Sequence, residues 1–133
     1  MAEAQQLRVQ SRLDQGVLVL TFLDRSIHTD TLAETLRDQL LDAVATTRSS
    51  MVVLDFRNVE YLSSAGFRPL LSLRRKLHES GGRLILCNLH PDVANVFRIT
   101  RLISTSKSAA APFEQADDLP AALTHLLGNA GTA

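Results

Sequence analysis

The 133-residue sequence predicts a single mixed α/β domain. Three observations carry that expectation. Short apolar runs of strand length alternate with segments of helical period, an order that builds a largely parallel or mixed sheet with helical crossovers. The chain has one-domain length and can bury a real core. No linker tract or internal repeat interrupts the order, which reads β-β-α-β-α-β-α-(β)-α.

Residues 7–13, LRVQSRL, alternate and form a first strand, with Asp14, Gln15 and Gly16 as a hairpin turn. Residues 16–22, GVLVLTF, are almost wholly apolar and make a buried strand. The polar LDRSIHTD after them is turn-like. From Thr31 the period changes: Leu32, Leu36, Leu40 and Val44 define one face of a helix that Ala33 and Leu41 widen. Thr31 and Glu34 offer a capping box at its start. MVVLDF, residues 51–56, suits a strand covered on both faces. A second helix follows RNVEYLSS, its apolar positions being Phe67, Leu70, Leu71, Leu77 and the stem of Arg74. Gly81 and Gly82 close it. RLILCN is the next buried strand, and Pro91 opens a short helix where its missing N–H costs nothing. STSKSAAAP reads as a loop or a poor edge strand. DDLPAALTHLL makes a last helix with its acids at the favourable end. The expected domain spans 7–127, between flexible ends at 1–6 and 128–133.

Fourteen basic side chains balance fourteen acidic ones. That argues against a nucleic-acid binder that relies on bulk positive charge. The single cysteine, Cys87, excludes an internal disulfide and a multi-cysteine zinc site, and its apolar run makes it a reduced core thiol. No apolar h-region opens the chain and no stretch approaches the ~20 residues of a membrane span, so a cytoplasmic protein without membrane contact is expected. No His, Cys, Asp and Glu residues cluster at metal-ligand spacing, and no cofactor motif appears.

Residues 59–67, VEYLSSAGF, place two hydroxyls where a strand gives way to a helix, the end of an α/β sheet at which function gathers. Ser63 or Ser64 can cap the helix, but one serine suffices for that. A hydrolase nucleophile fits poorly, because Leu62 and Ala65 replace the glycines of a G-x-S-x-G elbow. None of His28, His78, His90 and His125 stands in a recognisable pairing with a serine. A nucleotide-phosphate loop is absent, since ESGGR precedes a strand rather than a helix. A hydroxyl displayed for modification remains open: free N–H groups and the helix dipole would hold a phosphate there, and its charge would change how a partner docks.

The run from Met51 to Leu102 resembles the core of the STAS domain, the sulfate-transporter and anti-sigma-factor-antagonist family. The resemblance rests on Leu54-Asp55, Ser63-Ser64-Ala65-Gly66-Phe67, Gly81-Gly82, Pro91 and Thr100-Arg101-Leu102 in this order, and it extends weakly over residues 7–127. It implies a mixed sheet of four or five strands with about four helices, in a bacterial anti-sigma factor antagonist. Such a protein binds an anti-sigma factor that is often a serine kinase of the ATPase type, and a phosphoprotein phosphatase reverses the kinase. The phosphoacceptor aligns on Ser64, with Ser63 as the fallback, and no catalytic residue is implied. The partner-binding set is Asp24, His28, Asp55, Ser63, Gly66, Phe67 and Arg68, on a monomer; Asp55, at the end of the third strand, reads equally as a carboxylate that fixes its loop, and Asp24 is open in the same way. Three features depart from the family pattern. Ser63 replaces an aspartate; FLDRSIHTD is longer than the usual loop and lacks its glycine; Pro69 falls early in the second helix. Pro69 implies a local distortion, with the helix kinked or regular only from near Arg68 and SSAG left loop-like and accessible. Two other readings stand beside this one: a STAS scaffold or sensory module with Ser64 as a mere cap, and a small-molecule or nucleotide binder or esterase.

Overall fold

The computed structural model describes residues 7–100 and 113–131. The elements are β1 (Val9–Asp14), β2 (Val17–Phe22), β3 (Ser26–Ile27), α1 (Asp30–Thr47), β4 (Met51–Asp55), β5 (Tyr61–Leu62), α2 (Phe67–Glu79), β6 (Arg83–Cys87), α3 (Pro91–Ile99), β7 (Glu114–Ala116) and α4 (Leu119–Gly131). One 3-10 turn, Ser64–Gly66, precedes α2. The main sheet has the order β1-β2-β4-β6-β7, and β3 pairs with β5 in a separate ribbon. Within the main sheet β1 is antiparallel to β2, and the other neighbours are parallel. This is the mixed α/β class that the sequence predicts.

The β1–β2 hairpin turns on Gln15 and Gly16, both with positive φ (55° and 84°), so its twist matches that of the strands it joins. Along β2, Leu18, Leu20 and Phe22 pack into the larger core, together with Leu36 and Leu40 of α1, Leu70 and Leu73 of α2 and Phe97 of α3. Val17 and Val19 enter a second core with Val53, Ile85 and Cys87, closed by Leu119, Leu123 and Leu126 of α4. The central strands are buried on both faces, and for that reason their sequences read as unbroken apolar runs.

Three local readings are corrected, those of the α1 cap, the α2 stripe and the end of the last helix. The cap of α1 is Thr29, whose Oγ1 accepts the Leu32 N–H at 3.1 Å. Thr29 holds the extended backbone a cap needs, whereas Thr31 already lies within the helix. On α2 the buried stripe runs through Phe67, Leu70, Leu73 and Leu77, and Leu71 is 37% exposed. A stripe that contains Phe67 and Leu70 continues three residues on, which selects Leu73. The last strand lies at Glu114–Ala116. No apolar alternation marks it; Arg83 Nε donates to Glu114 Oε2 at 3.2 Å, and His125 Nε2 lies 3.3 Å from Oε1. Helix α4 continues past Leu127 to Gly131. The stretch STSKSAAAP, residues 101 and 102 of the resemblance, residues 1–6 and the last two residues lie outside the described residues.

The turn from α2 into β6 sets the spacing of the strands beneath the site. The Gly82 N–H donates to the Leu77 carbonyl at 2.7 Å and the Gly81 N–H to His78 at 3.1 Å, with Gly81 at φ 76°. A Cβ on Gly82 would collide with the backbone carbonyl of Ser50. Its absence lets Ser50 accept the Arg83 N–H at 2.8 Å and brings β6 beside β4.

Burial pushes the Cys87 thiol up to about 12, with the charge of Asp55 adding to the effect. The thiol in the native protein should therefore resist a disulfide reagent at pH 8 and react fully after unfolding in guanidinium; rapid native labelling would contradict this burial. As pH rises past the ordinary value of 9.0, the unfolded chain releases this proton before the folded one does. Stability should accordingly fall between pH 9 and about 12.

Candidate functional site at the start of the second helix

Because β2, β4 and β6 are parallel, their carboxyl ends open at one end of the sheet. Two of the loops there are stitched together by the β3–β5 ribbon, in which Ser26 pairs with Tyr61 and Ile27 with Leu62. The Ser63 N–H continues the ribbon by donating to the Ile27 carbonyl at 3.0 Å, and the Glu60 N–H donates to Arg25 at 2.7 Å. Each strand has two residues, too few for any periodicity to register. The signal available was the pair Ile27 and Leu62, apolar residues inside polar stretches that are 2% and 3% exposed.

From this ribbon the chain enters the 3-10 turn. Ser63 has extended backbone (φ −94°, ψ 176°) and makes no side-chain cap bond; its Oγ is buried without a hydrogen-bond partner. Ser64 is the first residue of the turn and is exposed. The cap position of α2 is Gly66, which has no side chain to offer. Neither serine side chain caps α2, contrary to the plainest reading of the sequence. Pro69 supplies the reason. An α-helix begun at Ser64 would need an N–H from Pro69 and would drive its ring against the Ala65 carbonyl. With α2 starting at Phe67, Pro69 is its third residue, where N–H groups have no intrahelical acceptor. The distortion expected from the sequence thus takes the form of a 3-10 turn followed by a regular helix.

Gly66 has an ordinary helical φ of −69°, so the turn needs it for space. A Cβ there would run into the Leu62 side chain and come within 3.1 Å of Ile27 Cγ2. The turn therefore sits directly on the ribbon, with Gly66 below and Ser64 outward.

The remaining expected site residues divide into two groups. Arg68 is exposed one turn beyond Ser64, and its Nη1 lies 3.5 Å from Asp30 Oδ1 at the start of α1. His28 is also exposed; its Nδ1 lies 2.8 Å from Ser26 Oγ, and its ring meets Tyr61 edge-on with centroids 6.1 Å apart. Arg68 thus follows Ser64's turn on α2, and His28 follows Ile27, whose carbonyl accepts the Ser63 N–H. Phe67 is instead a core residue, 7% exposed, with its ring 5.1 Å from that of Phe97. Its apolar area is worth more in the core than at a surface. Asp24 accepts from Arg8 Nη1 at 2.7 Å, tying the start of β1 to the loop after β2.

Asp55 is fully buried. Its Oδ1 accepts the Arg57 N–H at 3.0 Å and Asn88 Nδ2 at 2.9 Å, while Oδ2 accepts Arg57 Nε at 2.9 Å and Nη2 at 2.7 Å. These bonds satisfy a carboxylate that would otherwise be too costly to bury. They also hold the guanidinium of Arg57 charged beyond its ordinary range, the hydrogen bonds first and the charge attraction second. Asp55 thus fixes the loops after β4 and β6 and presents Arg57, not itself, to a cleft of about 520 Å³ lined by Asn88, Leu89, His90 and Asp117. Sequence reasoning missed Arg57 and Asn88, whose roles depend on two strands being adjacent. Among the described residues no cluster of His, Cys, Asp and Glu suited to a metal ion occurs, and no helix is long and apolar enough to cross a membrane.

Comparison with known proteins places this architecture. The sequence profile of the STAS domain matches residues 8–111. Anti-sigma factor antagonist BtrV of Bordetella bronchiseptica is 39% identical over 71 residues, which cover 49% of this chain and 61% of that relative. A crystal structure of an anti-sigma factor antagonist from Mycobacterium paratuberculosis superposes with a TM-score of 0.72 at 24% identity, covering 88% of this chain and 91% of that one. The anti-sigma factor antagonist SpoIIAA in its unphosphorylated form superposes with a TM-score of 0.61 at 16% identity, covering 94% and 99%.

Two substitutions test the geometry. Gly66→Ala should cost ~1–3 kcal/mol in urea unfolding, because Leu62 and Ile27 cannot both withdraw within the packed ribbon. An unchanged midpoint would mean that the turn does not rest on the ribbon. Arg57→Met leaves the Asp55 carboxylate buried with fewer donors and should cost about 3 kcal/mol; a loss below about 1 kcal/mol, the ordinary worth of an exposed pair, would contradict the role given to this bridge.

Proposed function

Since the chain belongs to the STAS domain family, we propose that it is an anti-sigma factor antagonist switched by phosphorylation of Ser64. The observation that carries this reading is the exposed Ser64 hydroxyl at the first position of a turn that neither serine side chain caps. In its unmodified form the protein docks through the 3-10 turn, the β3–β5 ribbon with His28, and the start of α2 with Arg68. The partner is an anti-sigma factor that is also an ATPase-type serine kinase, and the γ-phosphate it transfers goes to Ser64 Oγ. The ATP chemistry belongs to that partner, so this chain works by binding and needs no catalytic residue or cofactor of its own. Both act in the cytoplasm, and a phosphatase restores the unmodified state.

The chemistry of the switch follows from where the charge arrives. The first turn of α2 carries no acidic residue, so a phosphate meets no like charge there and gains from the helix dipole. The fold can therefore carry a charge near −2 without unfolding. At a contact surface the same charge must be desolvated, and without a prepared cationic pocket on the partner that loss exceeds what docking gains. Ser63, whose Oγ is buried, is the poorer acceptor. The resemblance to antagonists in sequence, and to a solved one described by its unphosphorylated form, supports the same role.

Pull-downs from the source organism's lysate with wild-type, Ser64→Ala and Ser64→Asp baits test the proposal. An ATPase-type kinase should be retained by the first two and lost from the third. Equal retention by all three would leave a permanent scaffold as the better reading.

A further inference from the structure

A groove of about 340 Å³ runs between α1 and α2. Ala33, Pro69 and Leu71 give it an apolar seat, and Arg37, Arg68 and Arg75 stand along it from both helices. Against these three arginines the lining holds one carboxylate, Glu34. Within the lining itself positive charge outweighs negative, with Asp30 and Asp38 standing beside it as the partners of Arg68 and Arg37. Among the described residues two of the arginines are held by exposed bridges, Arg68 to Asp30 at 3.5 Å and Arg37 to Asp38 at 3.3 Å. Pairs of that kind contribute little and exchange readily for another carboxylate. Leu71 is a large apolar side chain that the helix leaves 37% exposed in this groove.

An apolar seat with guanidinium groups on both helices matches one kind of ligand, an amphipathic helix whose apolar stripe is flanked by acids. Arg68, which lines the groove, also lies one turn beyond Ser64 along the chain. We propose that the α1–α2 groove docks an acidic amphipathic helix of the partner protein, with Leu71 receiving its apolar anchor and Arg37, Arg68 and Arg75 its carboxylates. This deepens the antagonist reading and rests on it for the identity of the partner. It also couples groove to switch: a phosphate on Ser64 competes with the partner's carboxylates for Arg68.

The test uses the whole chain and a fluorescein-labelled helical peptide with leucines at i, i+3 and i+7 between glutamates. Fluorescence anisotropy should show saturable binding that weakens as salt rises. A peptide of the same composition in scrambled order should bind several-fold more weakly, because its leucines no longer share a face. The double substitution Arg37→Glu and Arg75→Glu should weaken binding about tenfold or more, and Leu71→Ser several-fold. These surface changes should leave the circular-dichroism melt in place, which separates lost docking from lost folding. Equal binding of the scrambled peptide, or no effect of the substitutions, would overturn the proposal and reduce the groove to unspecific attraction of acids. A dimer seen by light scattering and abolished by Leu71→Ser would overturn it too, making a second copy the occupant. Ser64 is untouched in every arm, so failure here is distinct from failure of the phosphorylation switch, which the Ser64 baits report.

Discussion

The site depends on the inability of Pro69 to act as a donor inside a helix. A proline is accommodated in the first turn, where no acceptor waits for its N–H, and is excluded a turn later. With Pro69 fixed in the chain, α2 cannot begin at Ser64 and begins at Phe67 instead. The three residues before it are left to make a 3-10 turn. Had the α-helix started earlier, a serine oxygen would be its natural cap, directed at the backbone. The proline thereby frees the hydroxyls.

Where the turn sits follows from a second constraint, the close approach of Gly66 to Leu62 and Ile27. Those two side chains belong to the two strands of the β3–β5 ribbon, and the ribbon joins the loop after β2 to the loop after β4. His28, Tyr61, Ser64 and Arg68 owe their proximity to it. On the neighbouring loops Asp55 does comparable work from the inside, accepting from Arg57 and Asn88 and so holding the ends of β4 and β6 at one level. The rigid part of the site is buried and apolar or internally satisfied; the part available to a partner is polar and exposed. Such a division lets a surface change its charge while the fold beneath it is undisturbed.

Much of this was legible in the residues alone. The continuous runs GVLVLTF, MVVLDF and RLILCN announced strands covered on both faces, and the spacing of Leu36, Leu40 and Val44 placed α1 correctly. Pro69 announced the disturbed start of α2, and Pro91 the first residue of α3. The features that escaped are those decided by contacts distant in sequence. Strands β3 and β5 are dipeptides that exist only because they meet each other. Strand β7 is defined by its bonds to β6 and by the pairing of Glu114 with Arg83. The exchange of Leu71 for Leu73 in the core follows from the three-residue step that Phe67 and Leu70 set along α2. Phe67 had the composition of a contact residue, and Asp55 stood open between contact and loop support; burial decides between the two, and burial is not written locally.

The central claim is that Ser64 is displayed to receive phosphate. Its most direct test is site-resolved mass spectrometry of the protein isolated from its own cells, from growing and from starved cultures, with phosphatase inhibited during lysis. The account predicts a phosphate on the peptide containing Ser63 and Ser64, localised to Ser64, at an occupancy that changes between the two conditions. Phosphate on Ser63 alone, or none on this peptide in either culture, would contradict it.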